Sequence, residues 1–574
     1  MALKVEKIES ELGAGTRRYL AAQSYVVVLA VYILTTLFTN AYFMADTYDY
    51  VDSIVAFAAG RYYDFWEFGH LFWRPLGWVL YVLCKPLTNF VVGGEVRLNV
   101  TLILVVISWL AGLLSVGALH GIISRFSRRA WITTLVTIGF IFSHGFLNFA
   151  QTGSSYIPGL SMLLLGLYIL ARRGDNVGNE FMTGALAGLA LAGSVCLWFP
   201  YVLAMPGALA SPLFFFGFER RRWRLILLTA IAAGVFVAVA YALVAIGALG
   251  IHTSAGFKAW MSAASHDTDI RGVTRMVFGF ARSFIYLGND GILFKRYLLS
   301  DPFNPVTFFD LLRLSLWKLA LFYLFIAGLA ISLLRSSLGK RMVGLLILSG
   351  APVILFAIAF DGGAIERYLP LYPAVFIGLS GSLGSDHHMK LPKYLAIAFI
   401  AAVISTNVAA MAKPVLNRQQ EVTAARISDV RKRLKPNSRL LVVTWQDELI
   451  NFSRSFPFHP LNRAGNLRIG ALVTPGTTLA ADWRQGFASQ TQETWSRGGD
   501  MWISRRALSP SPRSEWNWTE GDDKRVSWPE FQELFSQLDL GESVGGEDGF
   551  VLIPPTAKNK ELLDRLVKYE GINR

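Results

Sequence analysis

Ala45-Asp46-Thr47-Tyr48-Asp49-Tyr50-Val51-Asp52 follows directly on the first long apolar run of the chain, and Trp66-Glu67-Phe68-Gly69-His70-Leu71-Phe72-Trp73-Arg74-Pro75 comes soon after it. Acids, a histidine, an arginine and many aromatics therefore crowd the mouth of a membrane helix. Charge near a bilayer is costly, so such a cluster marks a functional site. The surrounding chain decides what kind. Its 574 residues are 53% hydrophobic and 16% charged, with 16 Trp, 20 Tyr and 40 Phe, a balance that excludes a soluble globular protein and gives a polytopic membrane protein with some soluble mass. The net charge of +14 sits in short basic clusters between apolar spans, which is the pattern of topology signals and lipid contact, with no nucleic acid partner. Cys84 and Cys196 both lie in apolar segments, so neither a disulfide framework nor a metal cluster is expected. The polar N-terminus followed by a run of spanning length is not expected to be a cleavable signal peptide.

Apolar stretches of roughly spanning length fall near 24–43, 98–121, 130–147, 156–171, 181–200, 202–218, 223–249, 312–334, 342–360, 367–384 and 393–411. The expected fold is a polytopic α-helical membrane protein of about eleven transmembrane helices. Arg17-Arg18, Arg125 with Arg128-Arg129, Arg172-Arg173, Arg220-Arg221-Arg222, Lys340-Arg341 and Lys390 with Lys393 alternate onto one side, read as cytoplasmic. Leu76–Val92 is apolar enough to span, but a crossing there would put the first two basic clusters on opposite sides; it is read as a helix lying in the outer interface. Two outer loops follow, at about 44–97 and 250–311, with a short outer turn at Asp361–Tyr368. After Lys413-Pro414 the composition changes. A basic amphipathic helix at 415–437, strand-like runs at Arg439–Trp445, Leu467–Val473, Asp500–Ile503 and Gly549–Ile553, and a helical pattern at Trp528–Leu538 describe a C-terminal extracytoplasmic α/β domain. The division is a transmembrane domain over 1–412 and an extracytoplasmic domain over 413–574.

Asp46 stands just beyond the first span, where a carboxylate facing a bundle cavity can act as general base toward a hydroxyl; the plainer reading is a helix-end acid that marks the boundary. Asp49 shares its helical face or caps the helix that continues through Ala56. Asp-x-x-Asp alone is not a metal motif, and no metal is expected. Glu67 and His70, three apart, contact substrate or form a solvated interfacial turn. Arg74 snorkels to lipid headgroups or binds substrate. Arg271, Arg275 and Arg282 recur at helical spacing near Lys258, a positive stripe suited to anionic lipid or to one phosphate. Glu366-Arg367-Tyr368 opens a span, either as an anchoring ion pair or as part of the site. A transporter or lipid flippase, which typically carries charge at the bilayer midplane and paired repeats, and a non-catalytic scaffold are the competing classes.

The chain resembles the GT-C superfamily, membrane glycosyltransferases that use polyprenyl-phosphate-linked sugars. The resemblance is carried by Asp46 after the first span, by Tyr50 and Gly60-Arg61, and by Trp73-Arg74-Pro75-Leu76-Gly77-Trp78. It continues through Arg97-Leu98-Asn99, Gln151-Thr152-Gly153-Ser154-Ser155-Tyr156-Ile157-Pro158 and Glu366-Arg367-Tyr368-Leu369-Pro370-Leu371-Tyr372-Pro373. The last run is similar to protein-mannosyltransferase-like and aminoarabinose-transferase-like members. Asp46 is followed by Thr47 where the family often has a second acid, and no Asp-x-Asp occurs at this position. The resemblance implies an inverting transfer of a hexose or pentose from a polyprenyl-phosphate donor to a glycan, lipid or protein, without cofactor. Asp46 would be the base. Asp49, Glu67, His70, Arg74, Lys258, Arg271, Arg275, Glu366, Arg367 and Tyr368 would bind substrate, the arginines receiving the leaving phosphate. It implies a place in a bacterial inner membrane, among membrane lipids, with the site facing out into the cell envelope.

Overall fold

The protein is described here by a computed structural model, which covers the chain except residues 1–13, 45, 62–64, 128, 175–177, 265–271, 289–292, 295–296, 298–305, 336, 361, 385–389, 445–448, 450–457, 459–467, 474–479, 509–527, 546–548 and 569–574. Two compact units emerge: Met1–Asp290 with Arg313–Lys413, and Gly291–Leu312 with Pro414–Arg574.

The first unit is helical and polytopic. Its helices include α1 (Ala14–Phe38), α2 (Thr47–Ala58), α3 (Trp73–Val92), α4 (Val96–Phe126), α5 (Ala130–Phe142), α6 (Tyr156–Arg173), α7 (Glu180–Leu197), α8 (Arg220–Ala242), α9 (Gly272–Phe284), α10 (Trp317–Leu334), α11 (Ser337–Ala359), α12 (Tyr372–Gly384) and α13 (Lys390–Met411). Nine described helices are long and apolar enough to cross a bilayer, and Trp73–Val92 is one of them. The segment read as interfacial thus forms a helix of 20 residues with Leu83, Leu87 and Phe90 exposed along it. Three expected spans are shorter or less apolar, for a physical reason. Helix α5 is 13 residues long and stops at Ser143, after which a separate turn of helix runs His144–Phe149. Helix α12, also 13 residues, continues from a 3-10 segment Ile365–Leu371 that contains Pro370. Along with α6 these helices are largely buried by their neighbours; α5 and α12 are apolar but cut short by the breaks at Ser143 and Pro370, and α6 ends in Arg172-Arg173.

Close approach rather than hydrophobicity joins helices in lipid. On α7 the small residues Gly184, Gly188 and Ala192 recur every fourth position, and a Cβ at Gly188 would lie 2.7 Å from both Thr229 O and Ala232 Cβ of α8. The core is aromatic, with Phe140 and Phe146 at 4.1 Å between ring centres and Phe284 against Tyr372 at 4.6 Å. Asn407 on α13 is fully buried and ties three segments: its Nδ2 donates to Phe142 O at 2.6 Å and Phe284 O at 2.9 Å, and its Oδ1 accepts from Tyr286 N at 2.8 Å.

The second unit holds a five-stranded sheet in the order β2-β1-β3-β5-β4, with β1 (Arg439–Thr444), β2 (Arg468–Val473), β3 (Met501–Ser504), β4 (Ser543–Val544) and β5 (Phe550–Ile553). Strand β1 pairs parallel with β2 and β3, and β5 pairs antiparallel with β3 and β4. The period-2 alternation of a strand places Leu441 and Val443 with Trp483, Phe487 and Phe535 in one core, and Leu440 and Val442 with Val430, Trp502 and Phe550 in another. Helices α14 (Lys413–Arg431), α15 (Ala480–Ser496), α16 (Trp528–Ser536) and α17 (Ala557–Lys568) complete the described part. The four strands expected from sequence are present; β4, α15 and α17 are additional.

Replacing Asn407 by Ala leaves one buried amide and two buried carbonyls without their partner. Each unsatisfied group costs about 1–3 kcal/mol, so Asn407→Ala should lower the thermal midpoint in detergent by several degrees. A midpoint equal to wild type would show that the three segments are held without it.

Candidate functional site

The site is built where three segments meet at one end of the helices. The first is the start of α2. Asp46 is its N-cap residue, yet the side chain makes no capping hydrogen bond. Instead Asp46 Oδ2 accepts a hydrogen bond from Tyr156 Oη at 2.5 Å and from Tyr50 Oη at 3.4 Å. Tyr50 lies one helical turn along α2, which is why its hydroxyl returns toward residue 46. The second segment is the turn before α6. Its Gly153 N donates to Thr47 Oγ1 at 3.0 Å, and Trp73 Nε1 donates to Gly153 O at 3.0 Å. A Cβ on Gly153 would sit 2.7 Å from Thr47 Cγ2 and 2.8 Å from Leu104 Cβ, so only glycine allows this approach. The turn then presents Ser155 and Tyr156 to the site.

The third segment is the 3-10 turn Phe68–His70 with the head of α3. Its backbone is pinned by aromatic donors: Tyr241 Oη donates to Phe68 O at 2.9 Å, and Trp260 Nε1, on the helix Ser254–Ala263, donates to Trp66 O at 2.9 Å. His70 is buried; its Nδ1 lies 2.7 Å from Ser155 Oγ, and Tyr50 Oη lies 3.1 Å from its Nε2. Burial first, and then the charges of Arg74 and Arg367, push the His70 imidazole down to about 3 against the opposing pull of Asp46. Burial, Asp46 and Glu67 push the Tyr50 phenol well above its usual range. Both groups are therefore neutral, and the hydroxyl of Tyr50 stays a donor.

Cationic groups flank this network. Arg74 Nη1 pairs with Glu67 Oε2 at 2.6 Å, the arginine side chain only 6% exposed and the glutamate 26%, and the guanidinium lies 5.3 Å from the centre of the Tyr50 ring. Arg74 Nε and Arg367 Nε are buried without a hydrogen-bond partner among the described residues. Arg367 stacks over Phe356 at 5.5 Å and is close enough to His70 to act on it electrostatically; Glu366 acts likewise on Tyr156. Among the described residues no three His, Cys, Asp or Glu gather as a metal site.

Of the sequence candidates, the structure brings together Asp46, Glu67, His70, Arg74, Glu366 and Arg367. Tyr368 is fully buried, its hydroxyl donating to Gly362 O at 2.7 Å and Met276 O at 3.1 Å, which fastens the turn at 362–368 to α9. Arg275 is half-buried on α9, while Asp49 and Lys258 are exposed on their helices. Arg271 lies outside the described residues. Tyr156 and Ser155 were not among the candidates. The sequence signals for them are the polar run at 151–155 ahead of an apolar span and its place in the family resemblance; Tyr156 lies 110 positions from Asp46.

An unfolded histidine takes a proton near pH 6.5, whereas folded His70 does so only near 3. Between these values the unfolded chain binds the extra proton. Stability is therefore whole above pH 6.5 and falls as pH drops through that window. His70→Gln should flatten the acid-side decline of the thermal midpoint between about pH 6.5 and 4.5. An unchanged slope would mean that His70 is protonated in the folded protein too.

No known protein family's sequence profile matches the chain, and no curated protein sequence does. Solved structures do match. ArnT from Cupriavidus metallidurans in the apo state aligns over 95% of this chain and 99% of its own, at 12% identity and a TM-score of 0.51. ArnT bound to undecaprenyl phosphate aligns over 95% and 99%, at 12% identity and a TM-score of 0.49. The oligosaccharyltransferase AglB from Archaeoglobus fulgidus, with an inhibitory peptide and a dolichol-phosphate, aligns over 93% of this chain and 74% of its own, at 12% identity and a TM-score of 0.41.

Proposed function

We propose that the chain belongs with the GT-C membrane glycosyltransferases, a reading supported by the fold it shares with apo ArnT. We propose that it is a membrane glycosyltransferase that moves a hexose or pentose from a polyprenyl-phosphate donor to a hydroxyl acceptor (glycan, lipid or protein) by inverting displacement. The observation that carries this reading is the state of Asp46. One oxygen is held by tyrosine hydroxyls, and among the described residues the other accepts nothing.

In the proposed step Asp46 Oδ1 removes the acceptor's hydroxyl proton while the acceptor oxygen attacks the anomeric carbon. The bond from that carbon to the phosphate oxygen breaks, and its electron pair leaves on the polyprenyl phosphate. Arg74 and Arg367 receive that charge through their unpartnered N–H groups, with Arg271, Arg275 and Lys258 as further donors; fixed cations of this kind act most strongly where water is excluded. Asp49 and Glu366 line the approach, Tyr368 fastens the turn that carries Glu366 and Arg367, and Glu67 with neutral His70 fixes Arg74 and Tyr50. The transmembrane catalytic domain spans 1–412 and the domain at 413–574 stands, like the site, on the extracytoplasmic side of a bacterial inner membrane, as the basic clusters on the opposite side argue.

Asp46→Asn should keep the fold and donor binding while turnover falls about 10²–10⁴-fold, the usual contribution of a placed proton acceptor. Arg74→Ala or Arg367→Ala should lose on the order of tenfold or more in turnover with a short-chain donor in detergent, since a hydrogen bond to a charged group is worth about 1.5–3 kcal/mol. Lys340→Ala and Arg341→Ala serve as silent controls. Near-normal turnover in Asp46→Asn would remove the base from this scheme.

A further inference from the structure

We propose that Tyr156 is the positioning residue of this site, fixing the direction of the Asp46 carboxylate; the inference rests on the reading of Asp46 as base. Aspartate is among the most favoured N-cap residues because its oxygen satisfies the free N–H groups of the first helical turn. Asp46 occupies that position on α2 and makes no such bond. Its backbone, at φ −72° and ψ 9°, lies outside the extended conformation from which a cap side chain reaches those groups. The carboxylate is held instead by the 2.5 Å hydrogen bond from Tyr156 Oη, much shorter than the 3.4 Å contact from Tyr50.

Tyr156 is built to hold still. Its ring is buried between Phe149, at 4.9 Å, and Trp198, at 4.7 Å. Tyr201 Oη donates to its carbonyl at 2.6 Å, and the preceding turn is locked through Gly153 to Thr47 and Trp73. The hydroxyl is thus referenced to the same frame that carries Asp46, and among the described residues Oδ1 accepts no hydrogen bond. Without the hydroxyl, the carboxylate keeps only the long contact from Tyr50, turns among rotamers and no longer presents one oxygen to the acceptor in a fixed direction.

Tyr156→Phe keeps the ring and removes only this hydrogen bond. In purified protein with a polyprenyl-phosphate sugar, the substitution should lower kcat roughly 10- to 100-fold, the scale of one hydrogen bond to a charged group. Donor KM should stay within about twofold, because the hydroxyl bears on the direction of the base and not on the donor. Combined with Asp46→Asn, it should reduce turnover no further than Asp46→Asn alone. A fall in the midpoint together with a loss of donor affinity would show an ordinary packing role and overturn the proposal. So would wild-type kcat in Tyr156→Phe when Asp46→Asn is inactive, which leaves Asp46 as base. An active Asp46→Asn removes the base itself and the positioning role with it.

Discussion

A carboxylate that is to take a proton must be held in one direction. The bond from Tyr156 Oη fixes one oxygen of Asp46, and that bond requires the start of α6 to lie against the start of α2. Everything around the site serves this approach. Gly153 lets two backbones come closer than any other residue would allow, Thr47 and Trp73 take up its amide and carbonyl, and the rings of Phe149 and Trp198 fix the tyrosine.

Around that bond the electrostatics are divided by environment rather than by residue type. Burial and two arginines keep His70 neutral, so it serves as a hydrogen-bonding post between Tyr50 and Ser155. The cations are held in reserve in a different manner. Arg74 leans on Tyr50 and is balanced by Glu67, yet both it and Arg367 keep buried N–H groups without partners. An unsatisfied buried donor is costly in a resting protein. In the proposed function the leaving phosphate supplies the acceptors that Arg74 and Arg367 lack.

Much of the architecture could be read from periodicity alone. Apolar runs between basic clusters gave the membrane helices, and the alternating strands around Leu440–Val443 gave the C-terminal sheet. What escaped has identifiable causes. Helices α15 and α17 are short on apolar residues, and β4 is only two residues long. At 76–92 the charge rule and the length of the apolar run point in opposite directions, and the helix of Trp73–Val92 is long enough to span. At the site, Asp46, Glu67, His70 and Arg74 stood out because charge is rare near apolar spans. Tyr156 and Ser155 did not, since a tyrosine in an aromatic-rich chain carries no local mark. Their roles depend on contacts made across 110 positions of sequence for Tyr156 and 85 for Ser155.

The most direct test of the account follows the leaving group. Purified protein incubated with a panel of polyprenyl-phosphate-linked sugars and an extract of envelope acceptors should release free polyprenyl phosphate from one donor, with the sugar appearing on an acceptor in the opposite anomeric configuration. Absence of release from every donor, or transfer with retained configuration, would contradict a glycosyltransferase that works by single displacement from Asp46.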